Sequence, residues 1–163
     1  MDRLWSPWRS AYIAAGANAE GTERDCVFCK LKTEPENDVE NFVLHRAQFN
    51  FVVLNIHPYT TGHLLIVPYD HVADLDGASK DTTDELMDLT KRCQTALRQS
   101  YNPAGYNIGM NLGIAAGAGI ANHIHIHIMP RWVGDTNFMT TVGETRVLPE
   151  DLSTTYQKLH DKF

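Results

Sequence analysis

His123, His125 and His127 alternate with Ile124, Ile126 and Ile128 in the run NHIHIHIMPRW, residues 122–132. Side chains on a β-strand alternate faces with a period of two. A strand here therefore puts three imidazoles on one face and three isoleucines on the other. The isoleucine face belongs in a core, which fixes the histidine face with little freedom of register. Same-face neighbours on a strand lie about 6.5–7 Å apart. That is too far for direct ring stacking but close enough to converge on one ligand. Two chemistries fit. Three imidazoles can hold a metal ion with an open position for water. Alternatively, a neutral imidazole, plentiful at neutral pH because histidine titrates near about 6.5, can attack an electrophile and later depart. One hard displacement then becomes two easier ones. Surface histidines without a role account poorly for three of the eight falling at strict alternation.

A second constellation is Cys26-Val27-Phe28-Cys29. A C-x-x-C pair is half of a zinc site or a redox pair. A thioredoxin-like role needs a βαβ setting, which this region lacks. The chain has three cysteines, an odd number, which favours metal or redox chemistry in a reducing compartment over a structural disulfide. The third, Cys93, falls on the apolar stripe of a helix and reads as a buried thiol.

Apolar alternation and turn residues predict strands at 42–45, 49–54, 63–68, 106–111 and 122–129, the last ended by Pro130. Leu86, Leu89, Cys93 and Leu97 recur at helical spacing. With Asp81 or Thr82 as cap, they predict a long helix over 81–100. A shorter helix is predicted over 149–162. Residues 113–119 are a loop of glycines and alanines. The expected architecture is α+β: an antiparallel sheet of about five strands with one long and one short C-terminal helix. It forms a single domain over 1–163, with an aromatic arm at about 1–13 (Leu4, Trp5, Trp8, Tyr12, Ile13) and a tail at about 139–163.

The net charge of −6 argues against non-specific binding to nucleic acid, which needs a basic footprint. It allows a small anion at a locally positive site. No apolar run reaches the roughly 20 residues that cross a bilayer, and the N-terminus lacks a signal peptide's apolar stretch. The expectation is a soluble cytoplasmic protein without membrane partners.

The histidine strand resembles the signature of the histidine triad family, His-x-His-x-His followed by apolar positions, and continues with Pro130-Arg131. Upstream, Leu54-Asn55 and Gly62-His63-Leu64-Leu65-Ile66-Val67-Pro68 resemble the family's nucleoside-binding strands. The resemblance implies nucleotidyl transfer or hydrolysis with no organic cofactor. His125 would attack the α-phosphorus and form a covalent nucleotidyl-histidine. His127 would contact the phosphate, and His63 would support the catalytic strand. Asn55 would hold the ribose hydroxyls, and Asn111 would lie near the phosphates. The family's usual Gly-Gln-Ser/Thr-Val is replaced by Gly117-Ala118-Gly119-Ile120, with one extra residue before the triad. Backbone N–H groups of Gly117, Ala118 and Gly119 would then act as phosphate donors, a nest-like arrangement. Trp132, a few residues after His127, is expected at the site mouth.

The same resemblance supplies ligands to complete the cysteine pair: His71, in Pro68-Tyr69-Asp70-His71, and His123. Cys26, Cys29, His71 and His123 would bind a structural zinc with no open coordination position. The arm Leu4-Trp5-Ser6-Pro7-Trp8-Arg9 and the run Arg131-Trp132-Val133-Gly134-Asp135-Thr136-Asn137-Phe138 resemble the branch acting on diadenosine tetraphosphate. There either phosphate (giving ADP and ATP) or water (giving AMP and ATP) resolves the adduct. The rival readings are a nucleoside phosphoramidate hydrolase, a metal hydrolase and a non-catalytic, zinc-stabilised nucleotide-binding protein. The family forms dimers through the long helix and a sheet edge, so a homodimer or higher oligomer is expected.

Overall fold

The structure is a computed structural model that describes residues 26–163. The aromatic arm expected at 1–13 lies outside the described residues. Strands β1 (Val43–Arg46), β2 (Asn50–Leu54), β3 (Leu64–Pro68), β4 (Gly105–Gly109) and β5 (Ile126–Arg131) form one sheet in the order β1-β2-β3-β5-β4. Every neighbouring pair is antiparallel. Helices α1 (Val27–Thr33), α2 (Lys80–Tyr101), α3 (Phe138–Thr141) and α4 (Leu152–His160) accompany it. The α+β architecture, the five strands and the long helix are those expected from the sequence. Helices α1 and α3 are additions to it.

Alternation sorts the sheet into two faces. Leu54, Leu64, Ile66, Ile126 and Ile128 pack with Leu86, Leu89, Cys93, Ala96 and Leu97 of α2. Phe51, Val53, Leu65 and Val67 point the other way and pack with Phe28 and Leu31 of α1. His127 stands opposite Leu65 in the β3–β5 ladder, so the histidine face is the one turned away from α2. Because Ile128 is fully buried, slipping β5 by one residue would exchange a core isoleucine for a histidine.

Several boundaries differ from the sequence expectation, and three of them have a clear physical reason. Ser79, not Asp81 or Thr82, caps α2: it stays extended and its Oγ accepts the Thr82 N–H at 3.1 Å, satisfying a donor the first turn leaves open. The ladder of β5 begins at Ile126 rather than 122, because β3 pairs no further back than Ile66 with Ile126. It also runs past Pro130. The Arg131 carbonyl accepts the Ala104 N–H on the β4 side, so the backbone of Pro130 faces the β3 side. The last β3 partner there is Leu64 with Ile128, and the missing N–H of proline costs no ladder bond.

The turn before β3 depends on Gly62, whose φ of +74° suits glycine. A Cβ there would meet Leu97 Cδ2 at 3.0 Å, so the turn lies directly on α2. Glu85 of α2 ties the β1–β2 hairpin to the helix. Its carboxylate accepts the Gln48 and Phe49 N–H groups at 3.0 and 2.8 Å and the Asn50 side-chain amide at 2.8 Å. Replacing Glu85 with Ala is expected to cost about 2 kcal/mol, since the donors lose a charged acceptor. A lower urea midpoint at unchanged m-value checks this, with Glu85→Gln losing less.

Candidate active site

The three histidines are buried, at 1% exposure for His123, 7% for His125 and 9% for His127. They divide by what each ring nitrogen faces. His125 Nδ1 lies 3.0 Å from the His123 carbonyl oxygen. A carbonyl only accepts, so Nδ1 carries the proton and Nε2 keeps a lone pair. His63 fixes His127 in the opposite sense. The Tyr59 N–H donates to His63 Nδ1 at 3.2 Å, and the Asn55 amide nitrogen lies 3.3 Å from the same atom. Nδ1 of His63 is therefore the acceptor, and its Nε2–H donates to His127 Nδ1 at 2.9 Å. His127 is left with a proton on Nε2. The row thus presents a lone pair on His125 beside an N–H donor on His127.

Contrary to the expectation from strand spacing, the two rings touch. Their centroids are 4.8 Å apart in a T-shaped arrangement. Strand geometry fixes Cα positions, and the rings lean toward each other. Phe28 packs on the same row, 5.1 Å from the His125 ring and 5.4 Å from that of His123. Tyr59 lies 4.9 Å from the His63 ring and is stacked with His127 at 6.1 Å. Neither aromatic is recognisable as a site residue from sequence spacing; Phe28 arrives because it sits between the two cysteines.

Burial sets the charge. Desolvation pushes His63 down to about 3, with His127 and His125 adding to the shift, and takes His127 down to about 4 with help from His125. Burial also lowers His125, against the raising effect of its bond to the His123 carbonyl. At neutral pH the row is uncharged, as a nitrogen nucleophile requires.

His123 turns away from this row. Its Nε2–H donates to the Pro68 carbonyl at 2.9 Å, which leaves Nδ1 free to face sulfur. That atom lies 3.3 Å from Cys26 Sγ and 3.6 Å from Cys29 Sγ, and Cys29 Sγ lies 3.1 Å from His71 Nδ1. All four donor atoms fall within 4.8 Å of one another. Two sulfurs and two imidazole nitrogens at such separations suit tetrahedral zinc, for which bond lengths of about 2.0–2.3 Å apply. A carbonyl holding the far nitrogen of a ligating histidine is the usual outer support. His125 and His127 take no part in this cluster, so the structure does not bring the three strand histidines around one metal. The cysteine pair sits at the start of α1, with Cys26 as N-cap.

The glycine loop is folded on itself. N–H groups of Ala116, Gly117 and Ala118 bond to the Gly113 and Ile114 carbonyls, and the Asn111 amide donates to the Gly117 carbonyl at 3.3 Å. Of the three residues expected to offer N–H groups to phosphate, Gly117 and Ala118 direct theirs inward, and only Gly119 has its N–H without a partner among the described residues. Asn55 accepts the His57 N–H at 2.9 Å and adjoins His63. Trp132 is not brought to the histidine face. Its ring meets Tyr101 of α2 at 6.4 Å, on the opposite side of the sheet, because strand alternation turns residue 132 away from His127.

His125 and His127, neutral and fixed in tautomer, thus lie side by side on the face of an α+β sheet turned away from α2. Residues 36–133 match the HIT domain model, and the chain belongs to the HIT family, whose members process nucleotides. It is 36% identical over 161 residues to AP-4-A phosphorylase of Mycobacterium tuberculosis, covering 98% of this chain and 83% of that protein. It is 27% identical over 135 residues to adenosine 5'-monophosphoramidase of Schizosaccharomyces pombe, covering 78% and 96%. Among solved structures, a Zn-bound histidine triad family protein from Mycobacterium smegmatis superposes with a TM-score of 0.69 at 29% identity, covering 86% of this chain and 94% of that one.

Because His63 is held neutral in the fold and its pKa lies at about 3, the unfolded chain takes up a proton near pH 6.5 that the folded one refuses. The stability this contributes is fully present above about pH 6.5 and is lost as pH falls toward 3. Urea midpoints measured from pH 7 to pH 4.5 are expected to fall, and His63→Asn to shallow that slope by up to one proton, about 1.4 kcal/mol per pH unit.

Proposed function

We propose that this protein cleaves diadenosine tetraphosphate, or related dinucleoside polyphosphates, through a nucleotidyl-histidine that inorganic phosphate resolves. The observation that carries the reading is the pairing of a lone pair on His125 Nε2 with an N–H on His127 Nε2. In the first step His125 Nε2 bonds to the α-phosphorus, and the P–O bond to the departing ATP breaks. In the second a phosphate oxygen attacks the same phosphorus, the N–P bond breaks and ADP leaves. His127 donates to a phosphate oxygen, and His63 positions His127. Asn55 serves the ribose hydroxyls, while Asn111 and the loop 117–119 border the phosphates. Positioning and electrostatics supply most of the rate in such transfers.

Similarity to AP-4-A phosphorylase extends over 161 residues, well beyond the 36–133 match. This favours phosphorolysis over the monophosphoramidase reading, whose relative covers 78% of the chain. We further propose that Cys26, Cys29, His71 and His123 hold a structural zinc. With four protein donors it leaves no open position for substrate, and it would pin α1 to the start of β5. The exposed edge strand β4 and α2 are proposed as the contacts of a homodimer. No helix among the described residues is long and apolar enough to cross a membrane.

Product analysis with diadenosine tetraphosphate tests the reaction. ADP and ATP in phosphate buffer, with neither formed when phosphate is omitted, is the expected outcome. AMP and ATP would reassign the protein as a hydrolase, and no turnover under either condition would remove the reading. His125→Asn is expected to lose activity by about three orders of magnitude or more while keeping its fold.

Elemental analysis of protein purified without added metal is expected to give one zinc per chain. Cys26→Ser should lose it and unfold at lower temperature. Unchanged zinc content in that variant would count against the site.

A further inference from the structure

The histidine row is neutral on a chain of net charge −6, and a polyphosphate substrate needs a cation close by. Two arginines are tied to the row, one through its strand and one through a shared neighbour. Arg131 shares the strand face of His127 by alternation. Its Nε and Nη2 are held by the two Asp135 oxygens at 2.5 and 2.7 Å, and its Nη1 by Asn107 Oδ1 at 2.6 Å. Its charge is matched, and its donors are engaged on all three nitrogens.

Arg146 is different. Its Nη1 donates to the Tyr59 carbonyl at 2.9 Å, and it forms no ion pair with any acid among the described residues. The same Tyr59 gives its N–H to His63 and stacks its ring with His127 at an interplanar angle of 23°. One residue therefore joins the guanidinium to the phosphate-side imidazole. A carbonyl orients a guanidinium without neutralising it, as a carboxylate would. The remaining N–H groups of the planar fork match two phosphate oxygens. Residue 146 is exposed, so that fork is open to a ligand arriving from solvent.

We propose that Arg146, held by Tyr59, is the subsite for phosphoryl groups beyond the one His125 attacks, and that it makes the site prefer polyphosphates over single-phosphate nucleotides. The proposal rests on the reading of the site as nucleotidyl-transferring.

The test compares the unmodified protein, Arg146→Ala and Arg146→Lys on diadenosine tetraphosphate and on adenosine 5'-monophosphoramidate, which has no second phosphate. Arg146→Ala is expected to lower kcat/KM for the tetraphosphate roughly 10- to 100-fold, the size of a charged hydrogen bond, chiefly through KM. It should change the phosphoramidate rate less than about 3-fold, and Arg146→Lys should recover part of the loss. Equal losses on both substrates would assign Arg146 to holding Tyr59 in place and overturn the subsite. So would an unchanged tetraphosphate rate. Calorimetric binding of inorganic tripolyphosphate gives a readout independent of turnover: the unmodified protein should bind it, and Arg146→Ala more weakly by a similar factor. If neither nucleotide is turned over, the nucleotidyl-transfer reading fails, and the tripolyphosphate measurement alone decides the subsite. Absent or equal binding overturns it.

Discussion

The ladder between β3 and β5 is short, and the site hangs on it. Only Leu64 with Ile128, Leu65 with His127 and Ile66 with Ile126 are paired. That register puts His63, the residue before β3, within reach of His127. It is held from the far side of the sheet, where Ile126 and Ile128 are locked against α2. The hydrophobic face thus specifies the polar one. A shift of one residue would bury imidazoles among leucines and put isoleucines where the histidines make their hydrogen bonds, a cost of several buried side chains at once.

The electrostatic design follows from what is missing around the rings. Among the described residues, the partners of the four site imidazoles are carbonyls, an amide, a backbone N–H, another ring and thiols. None is a carboxylate. A carboxylate beside a histidine raises its pKa and favours the cation. Carbonyl and imidazole partners fix tautomers while burial keeps the rings neutral. The asymmetry between a lone pair on His125 and a proton on His127 is therefore written by backbone geometry and by the chain from Tyr59 through His63, and not by fixed charges.

Much of this was legible in the sequence because period-two alternation is a strong local signal. Three isoleucines against three histidines specify a strand, its orientation and its chemical face. The long helix was equally plain, though its cap was not: Asp81 and Thr82 sit inside the first turn, and Ser79 is the residue left extended. Helix α1 has no signal of its own in the sequence, because seven residues are too few for periodicity and its packing partners come from distant strands. Phe28 and Tyr59 carry no pattern at all. Each reaches the histidines through a tertiary neighbour, the cysteine pair in one case and the turn at Gly62 in the other. Trp132 lies off the histidine face for a related reason. Nearness along the chain to His127 said nothing about faces, and an odd separation places it across the sheet. The four metal-ligand candidates, by contrast, do converge in space, although they span residues 26 to 123.

The hydrogen bond from His125 Nδ1 to the His123 carbonyl bears on the fate of a covalent adduct. A ring whose Nδ1 proton is held by a carbonyl becomes a cation as soon as Nε2 forms a new bond. In the proposed cycle the intermediate is accordingly an N-phosphoryl imidazolium, not the more sluggish neutral phosphoryl imidazole. The carbonyl shares that charge, and the proton has no basic side chain to which it can escape. In that cycle the backbone oxygen that would leave His125 a lone pair for attack would also make it a good leaving group. Such an adduct would be short-lived, and its partition between phosphate and water would fall to whichever acceptor is already in place when it forms.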